Sequence, residues 1–372
     1  MHTRSWLVRA LSAAWLLVAG ILIAGLAGEL WLRLERRASI EASARFAEGN
    51  VFFATEKVLN VGTKTLWARR WFKYRPGARL EMTVGGELFR IEINSRGYRT
   101  HEFAVPKPEG LVRVVCIGAS TTVAGRTNEE TYPALLEATL RARHPGLPLE
   151  VLNLGVSGVT TEYWHGRLDR VLAYEPDVIV AYQAINDICW RHLPRYAEAH
   201  PWRGLAYRSL LLERLFPLPI DELEPLLMET LDTLGSIARA CRESGIGYLA
   251  GSFAAPDPRR TSDAFRRHLD VNTESWTRRF PLHDYETYAA ILERYNRRFV
   301  EFVHREHLNH VLVHQELSDP ALFIDVCHFT PEGIERLSEV FLPAVDDLVR
   351  DTPAYRRWVE SARVDADRRL LH

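Results

Sequence analysis

The sequence predicts an α/β fold: a three-layer α/β/α sandwich around a mainly parallel five-stranded sheet, preceded by an N-terminal membrane helix and a small β-rich segment. Three observations predict it. From residue 111 onward, short apolar runs alternate with longer helical patterns, as in strands joined by crossover helices. Residues 10–28 are 19 in a row without a charge. Between residues 51 and 101, turn residues punctuate the alternating Phe89, Ile91 and Ile93 of a half-buried strand.

Composition narrows the function. A chain of 372 residues, 47% hydrophobic and 26% charged, has room for a large core and is neither collagen-like nor disordered. With 47 Lys and Arg against 48 Asp and Glu, no global field attracts a polyanion, so nucleic acid is not expected as a partner. The cysteines Cys116, Cys189, Cys241 and Cys327 are scattered and show no paired metal or redox spacing. His304, His307, His310 and His314 lack the His-Glu-x-x-His arrangement of a zinc hydrolase and read as a polar helix end. Neither a metal nor a cofactor is expected.

Taken in order, residues 1–34 hold a short tip and the membrane helix. Its 19 uncharged residues span about 28 Å at ~1.5 Å per residue, close to the thickness of a bilayer core. The run is longer than a signal-peptide core, and Gly25-Leu26-Ala27 is only a fair cleavage site, which favours an uncleaved anchor over a signal peptide. Arg4 and Arg9 precede it and Arg33, Arg36 and Arg37 follow, so flanking charge does not set the orientation. Residues 35–110 read as a polar helical stalk, the β-rich segment, and a linker at Pro106-Lys107-Pro108-Glu109-Gly110.

Residues 111–350 form the main domain. Strands are expected at 113–117, 150–154, 177–182, 247–253 and 310–314, and helices at 132–143, 162–174, 221–243, 285–307 and 331–349. Residues 188–219 and 254–284 fit neither pattern and read as long insertions after strands, where a doubly wound sheet holds its ligands. Residues 351–372 are a helical tail.

Chemistry gathers at strand ends. The first strand runs into Gly118-Ala119-Ser120-Thr121-Thr122, a small-residue turn that exposes the Ser120 hydroxyl at the mouth of the sheet. The second ends in Asn153-Leu154-Gly155-Val156-Ser157-Gly158 and the third in Gln183-Ala184-Ile185-Asn186-Asp187. Near the C-terminus Asp325 and His328, three residues apart, are placed for the carboxylate to hold the imidazole ring.

In order, spacing and position on strands, these four blocks resemble the SGNH hydrolase superfamily, also called GDSL esterases and lipases, over residues 111–349. The resemblance implies Ser120 as nucleophile with Asp325 and His328 completing a triad, and an oxyanion hole from the Ser120 N–H, the Gly155 N–H and the Asn186 amide. It also implies a flavodoxin-like strand order 2-1-3-4-5. Two positions depart from the family: Ala119 replaces the usual aspartate of Gly-Asp-Ser, and Ala184 the glycine of Gly-x-Asn-Asp. The expected function is a metal-independent serine esterase acting on a small acyl ester or acylated glycan. The alternatives are an O-acyltransferase or deacetylase of a cell-surface polysaccharide, and a non-catalytic protein that binds a glycan or a partner. Trp190 and Trp202 are candidate substrate contacts, with Tyr196 and Tyr207 in the same aromatic insertion. Cys189 and Cys327 lie on loops that converge on the site, where buried thiols are expected ahead of a disulfide. Finally, Ile91-Glu92-Ile93-Asn94-Ser95-Arg96-Gly97-Tyr98-Arg99 is similar to a segment of bacterial membrane-anchored members, which implies a domain outside the cytoplasmic membrane, facing the periplasm or cell exterior.

Overall fold

The structure, a computed structural model, describes residues 2–47, 74–84 and 86–370. The last residues of the expected stalk and the first part of the expected β-rich segment, up to residue 73, lie outside the described residues.

A small antiparallel hairpin comes first, pairing β1 (Arg79–Val84) with β2 (Glu87–Glu92). In β2, Phe89 and Ile91 are buried and Leu88, Arg90 and Glu92 are exposed, the alternation expected of a strand with one covered face. The main sheet has five strands: β3 (Val112–Gly118), β4 (Leu149–Asn153), β5 (Val178–Tyr182), β6 (Gly247–Gly251) and β7 (Asn309–Val311). All neighbours are parallel and the order is β4-β3-β5-β6-β7, the expected 2-1-3-4-5. Every residue of β3, β4 and β5 is buried, because helices cover both faces of a parallel sheet. The register pairs Cys116 with Asn153 and Gly118 with Tyr182, so three chains leave the sheet at one edge.

The helices that bear on the site are α1 (His2–Ala47), α2 (Ser120–Val123), α3 (Tyr132–Arg143), α4 (Thr161–His165), α5 (Leu168–Leu172), α6 (Leu210–Leu215), α7 (Glu224–Glu243), α8 (Asp263–Trp276), α9 (Tyr285–Arg305) and α10 (Pro331–Asp351). In α10, Ile334, Leu337, Phe341, Val345 and Val349 recur at helical spacing on the buried face, with Phe341 stacked on Tyr132 and edge-on to Tyr182. The tail continues as a separate helix, Pro353–Leu370.

Two expectations change. The helix expected at 162–174 is two short ones, α4 and α5, which part at Gly166, the C-cap of α4. The two insertions are largely helical: a π-helical turn at Ile188–His192, helices Leu193–Ala199 and Pro201–Ala206, then α6, and α8 in the second. Pro194 and Pro201 look like loop markers by composition, yet they occupy first-turn positions, where a missing N–H breaks no helical hydrogen bond.

Among the described residues α1 is the one helix long and apolar enough to cross a membrane, within Leu11–Glu41, and the most apolar part of that range is unburied. Its second half is docked on the insertions. Glu29 accepts hydrogen bonds from Ser209 Oγ at 2.8 Å and Leu211 N at 3.0 Å, at the start of α6. Arg36 pairs with Glu274 at 2.6 Å and donates to the Asp270 carbonyl, and Ser43 Oγ lies 2.8 Å from His268 Nδ1, all on α8.

Candidate active site

At the end of β3 the chain turns at once into α2. A Cβ on Gly118 would lie 2.1 Å from Thr122 Oγ1 and 2.7 Å from the Tyr182 carbonyl, so only glycine permits this turn. Ser120 is the first residue of α2, and its N–H belongs to the set that a helix start leaves without an intrahelical acceptor. The residue is buried, 3% exposed.

The neighbouring strand ends lock around it. Asn153, at the end of β4, donates from Nδ2 to the Thr122 carbonyl at 2.8 Å, and its Oδ1 accepts the Gly155 N–H at 3.0 Å. A Cβ on Gly155 would meet Thr122 Cβ and Val123 Cγ2 at 2.9 Å. Beyond β5, Asn186 is fully buried; its Nδ2 donates to the Val159 carbonyl at 2.8 Å, and its Oδ1 has no hydrogen-bond partner among the described residues. Asp187 accepts from the Thr161 N–H at 2.9 and 3.1 Å and from the Thr161 hydroxyl at 2.9 Å. Burial pushes the Asp187 carboxyl up to about 6, against the opposing pull of those donors and the Gln183 amide.

The fourth block is a tight loop, closed by the antiparallel bridge between Phe323 and Phe329. Asp325 Oδ1 accepts the N–H groups of Cys327 at 2.9 Å and His328 at 2.8 Å, which aims the carboxylate at the ring. Its oxygens lie 2.7 and 3.0 Å from His328 Nδ1, and His328 Nε2 lies 2.8 Å from Ser120 Oγ. Ser120, His328 and Asp325 thus form one continuous hydrogen-bonded line. Burial alone would push the Asp325 carboxyl up, but the His328 ring and the two N–H donors hold it below the ordinary carboxylate value.

Two indoles cover the His328 side. The Trp276 ring centre lies 5.6 Å from that of His328, and Trp190 stacks on Trp276 at 5.5 Å with 10° between planes. Trp190 Nε1 donates to the Trp276 carbonyl, and its rim lies over Gly158, where a Cβ would come within 2.9 Å. Trp190 was among the expected substrate contacts; Trp276 was not, because no spacing ties residue 276 to 190 or 328. Trp202 packs instead on Phe216 and under Arg203, outside the contacts of Ser120, His328 and Asp325. Tyr196 and Tyr207 are buried and pack on Phe280, so neither offers a stacking face to a sugar.

No disulfide joins Cys189 to Cys327, and all four cysteines are buried thiols. His304 and His310 meet edge to face, whereas His314 Nδ1 lies 2.6 Å from Ser252 Oγ. Among the described residues one group has donor atoms close enough for an ion, Asp325, Cys327 and His328, within 4.8 Å of one another. Both His328 nitrogens are already engaged, by Asp325 and Ser120.

Residues 116–336 match the model of the GDSL-like lipase/acylhydrolase family, more than half of the chain. The chain belongs to that family. It is accordingly a hydrolase of the SGNH superfamily, of a kind that cleaves acyl esters. No curated protein matches it. Among solved structures, this acylhydrolase is similar to LAE5, an α/β hydrolase enzyme from the metagenome of Lake Arreo, Spain, at 21% identity and a TM-score of 0.42, covering 64% of this chain and 96% of that one. It is also similar to Axe2, an acetylxylan esterase from Geobacillus stearothermophilus, at 20% identity and a TM-score of 0.41, covering 63% and 94%. A G-D-S-L family lipolytic protein from Desulfitobacterium hafniense DCB-2 follows at 12% identity and a TM-score of 0.38, covering 63% and 99%.

In this acylhydrolase the segment before β3 braces the serine turn. Arg99, fully buried, donates to the carbonyls of Val123 at 2.6 Å and Gly125 at 3.0 Å, and the Tyr74 hydroxyl accepts the Ser157 N–H at 2.8 Å. The Ser-Arg-Gly-Tyr-Arg run at 95–99 thus supports the loop that follows Ser120.

Proposed function

We propose that this acylhydrolase is a serine esterase in which Ser120 is the nucleophile, His328 the general base and acid, and Asp325 the group that holds His328. The single observation that carries the reading is the line from Asp325 through His328 to Ser120, with contacts of 2.7 and 2.8 Å. An ionised Asp325 on Nδ1 selects the tautomer with its hydrogen there and leaves the Nε2 lone pair facing the Ser120 hydroxyl. His328 takes the Ser120 proton as Oγ adds to the ester carbonyl, and the imidazolium is stabilised by Asp325. The oxyanion is held by the Ser120 N–H and the second hydrogen of the Asn186 amide, whose first is on Val159. Gly155 supplies the third donor once its N–H turns from Asn153 Oδ1. Collapse expels the alcohol, which takes its proton from His328. Water, deprotonated by the same nitrogen, then adds to the acyl-Ser120 and releases the acid and the free serine.

In the same reading α1 is an uncleaved anchor in the bacterial cytoplasmic membrane, and residues 111–350 are the hydrolase domain on its periplasmic or exterior side. The unburied apolar stretch of α1 supports the anchor. A fluorophosphonate is expected to add once, on Ser120, as located by peptide mass, and Ser120→Ala is expected to lose esterase activity with unchanged thermal unfolding. Label on another residue, or undiminished hydrolysis by a folded Ser120→Ala, overturns the assignment.

A further inference from the structure

Outside α1, the described residues expose nine large apolar side chains, and five of them fall between residues 202 and 216: Trp202, Leu205, Leu212, Leu215 and Phe216, with Leu205 at 69% and Leu215 at 61%. Such a concentration on one short stretch is not ordinary surface scatter and marks an interaction site.

Its place on α1 says what it meets. The methyls of Leu211 lie 3.8 and 3.9 Å from where a Cβ on Gly28 would sit, at the last residue of the uncharged run. One residue on, Glu29 caps the start of α6 through Ser209 Oγ and Leu211 N. Arg33 Nη2 donates to the Arg208 carbonyl at 3.2 Å. From Arg33 back to Gly28 is about 8 Å along a helix at ~1.5 Å per residue, so residues 208–211 climb α1 toward its apolar end. The exposed side chains therefore stand where the apolar run emerges.

Their chemistry fits a bilayer boundary. The Trp202 and Phe216 rings meet edge to face at 6.2 Å, the Arg203 guanidinium lies 4.5 Å over Trp202, and Arg208 and Arg214 are exposed beside them. Aromatic and leucine side chains rimmed by arginine are what the headgroup–acyl boundary takes up. We infer that residues 202–216 are a second membrane contact, an apolar patch seated in the headgroup–acyl boundary of the bilayer that α1 crosses. The inference rests on reading α1 as an anchor and adds that the hydrolase domain itself touches lipid.

The test uses the full chain in vesicles of phosphatidylcholine and phosphatidylglycerol, with single cysteines introduced by Leu22→Cys, Leu88→Cys, Leu205→Cys or Leu215→Cys and carrying a nitroxide; the four native thiols are buried and resist labelling. Collisions with oxygen, which partitions into lipid, are compared with those of a water-soluble nickel chelate. The oxygen-to-nickel ratio at residues 205 and 215 is expected to exceed that at Leu88, an exposed hairpin site, severalfold and to approach that at residue 22. A water-like ratio at 205 and 215 with a lipid-like one at 22 overturns the patch and leaves the anchor standing. Exclusion of both reagents at 205 and 215 overturns it too, since protein then covers the patch. A water-like ratio at residue 22 removes the anchor itself, and the inference with it.

Discussion

Asp187 carries a pH signature opposite in sign to that of Asp325. Its carboxyl titrates at about 6 in the folded protein because burial disfavours the charge, whereas the unfolded chain releases that proton near the ordinary value of 3.8. Between those pH values the folded state holds a proton that the unfolded chain has lost, so the contribution of this carboxyl to stability is greatest below 3.8, falls as pH rises to about 6, and is level above it. The difference amounts to about 3 kcal/mol at ~1.4 kcal/mol per unit. Asp187→Asn keeps an acceptor for the Thr161 N–H and removes the buried charge, although its amide nitrogen would meet the Gln183 Nε2 donor that lies 3.4 Å from the carboxylate. The unfolding temperature of this variant relative to the wild type is expected to rise between pH 4 and pH 8, as read by calorimetry; a difference independent of pH would refute the account. At this scale the site was largely legible. Ser120 and Asn186 sit in short motifs just beyond strand ends, and Asp325 and His328 in one tight loop before α10, where sequence neighbours are also spatial neighbours. Trp276 was not legible, because its approach to His328 depends on how α8 lies against the sheet edge.

At the scale of elements, the strands could be placed because a buried parallel strand is a short apolar run whatever surrounds it. The insertions could not, because their short helices carry prolines in the first turn, which read as loop markers by composition. Their consequence for chemistry is the indole pair, one ring from each insertion, over the His328 side of a serine that is itself 3% exposed. Such a cover restricts the acyl group that fits. Trp190→Ala is therefore expected to raise kcat/KM for octanoyl over acetyl esters by about tenfold, the order that one or two contacts in an apolar pocket supply. Chain-length preference that stays fixed in this variant would show that the acyl group lies elsewhere.

For the whole molecule, the apolar run and the polar stalk were readable as separate pieces, but not that they form one helix docked on the insertions, since ion pairs such as Arg36 with Glu274 join residues 238 apart. The anchor reading predicts that the protein stays with membranes through a high-salt wash and that a reporter active only outside the cytoplasm works when fused after His372; a mature N-terminus near Gly28 or a reporter active only inside would contradict it. Docking also decides how far the enzyme can reach. A loose tether of the 19 residues from 29 to 47 would let its cargo roam over roughly 25 Å at ~5–6 Å times the square root of its length. A stalk clamped at Glu29, Arg36 and Ser43 allows no such sweep. Glu274 meets α1 at Arg36, about 12 Å along the helix from Gly28 at ~1.5 Å per residue, and Trp276 follows two residues later. Under the anchor reading proposed above, the mouth of the site would be held at one height above the lipid, so the catalyst would work as a fixed tool over a thin layer, and what it cleaves would have to be carried into that layer.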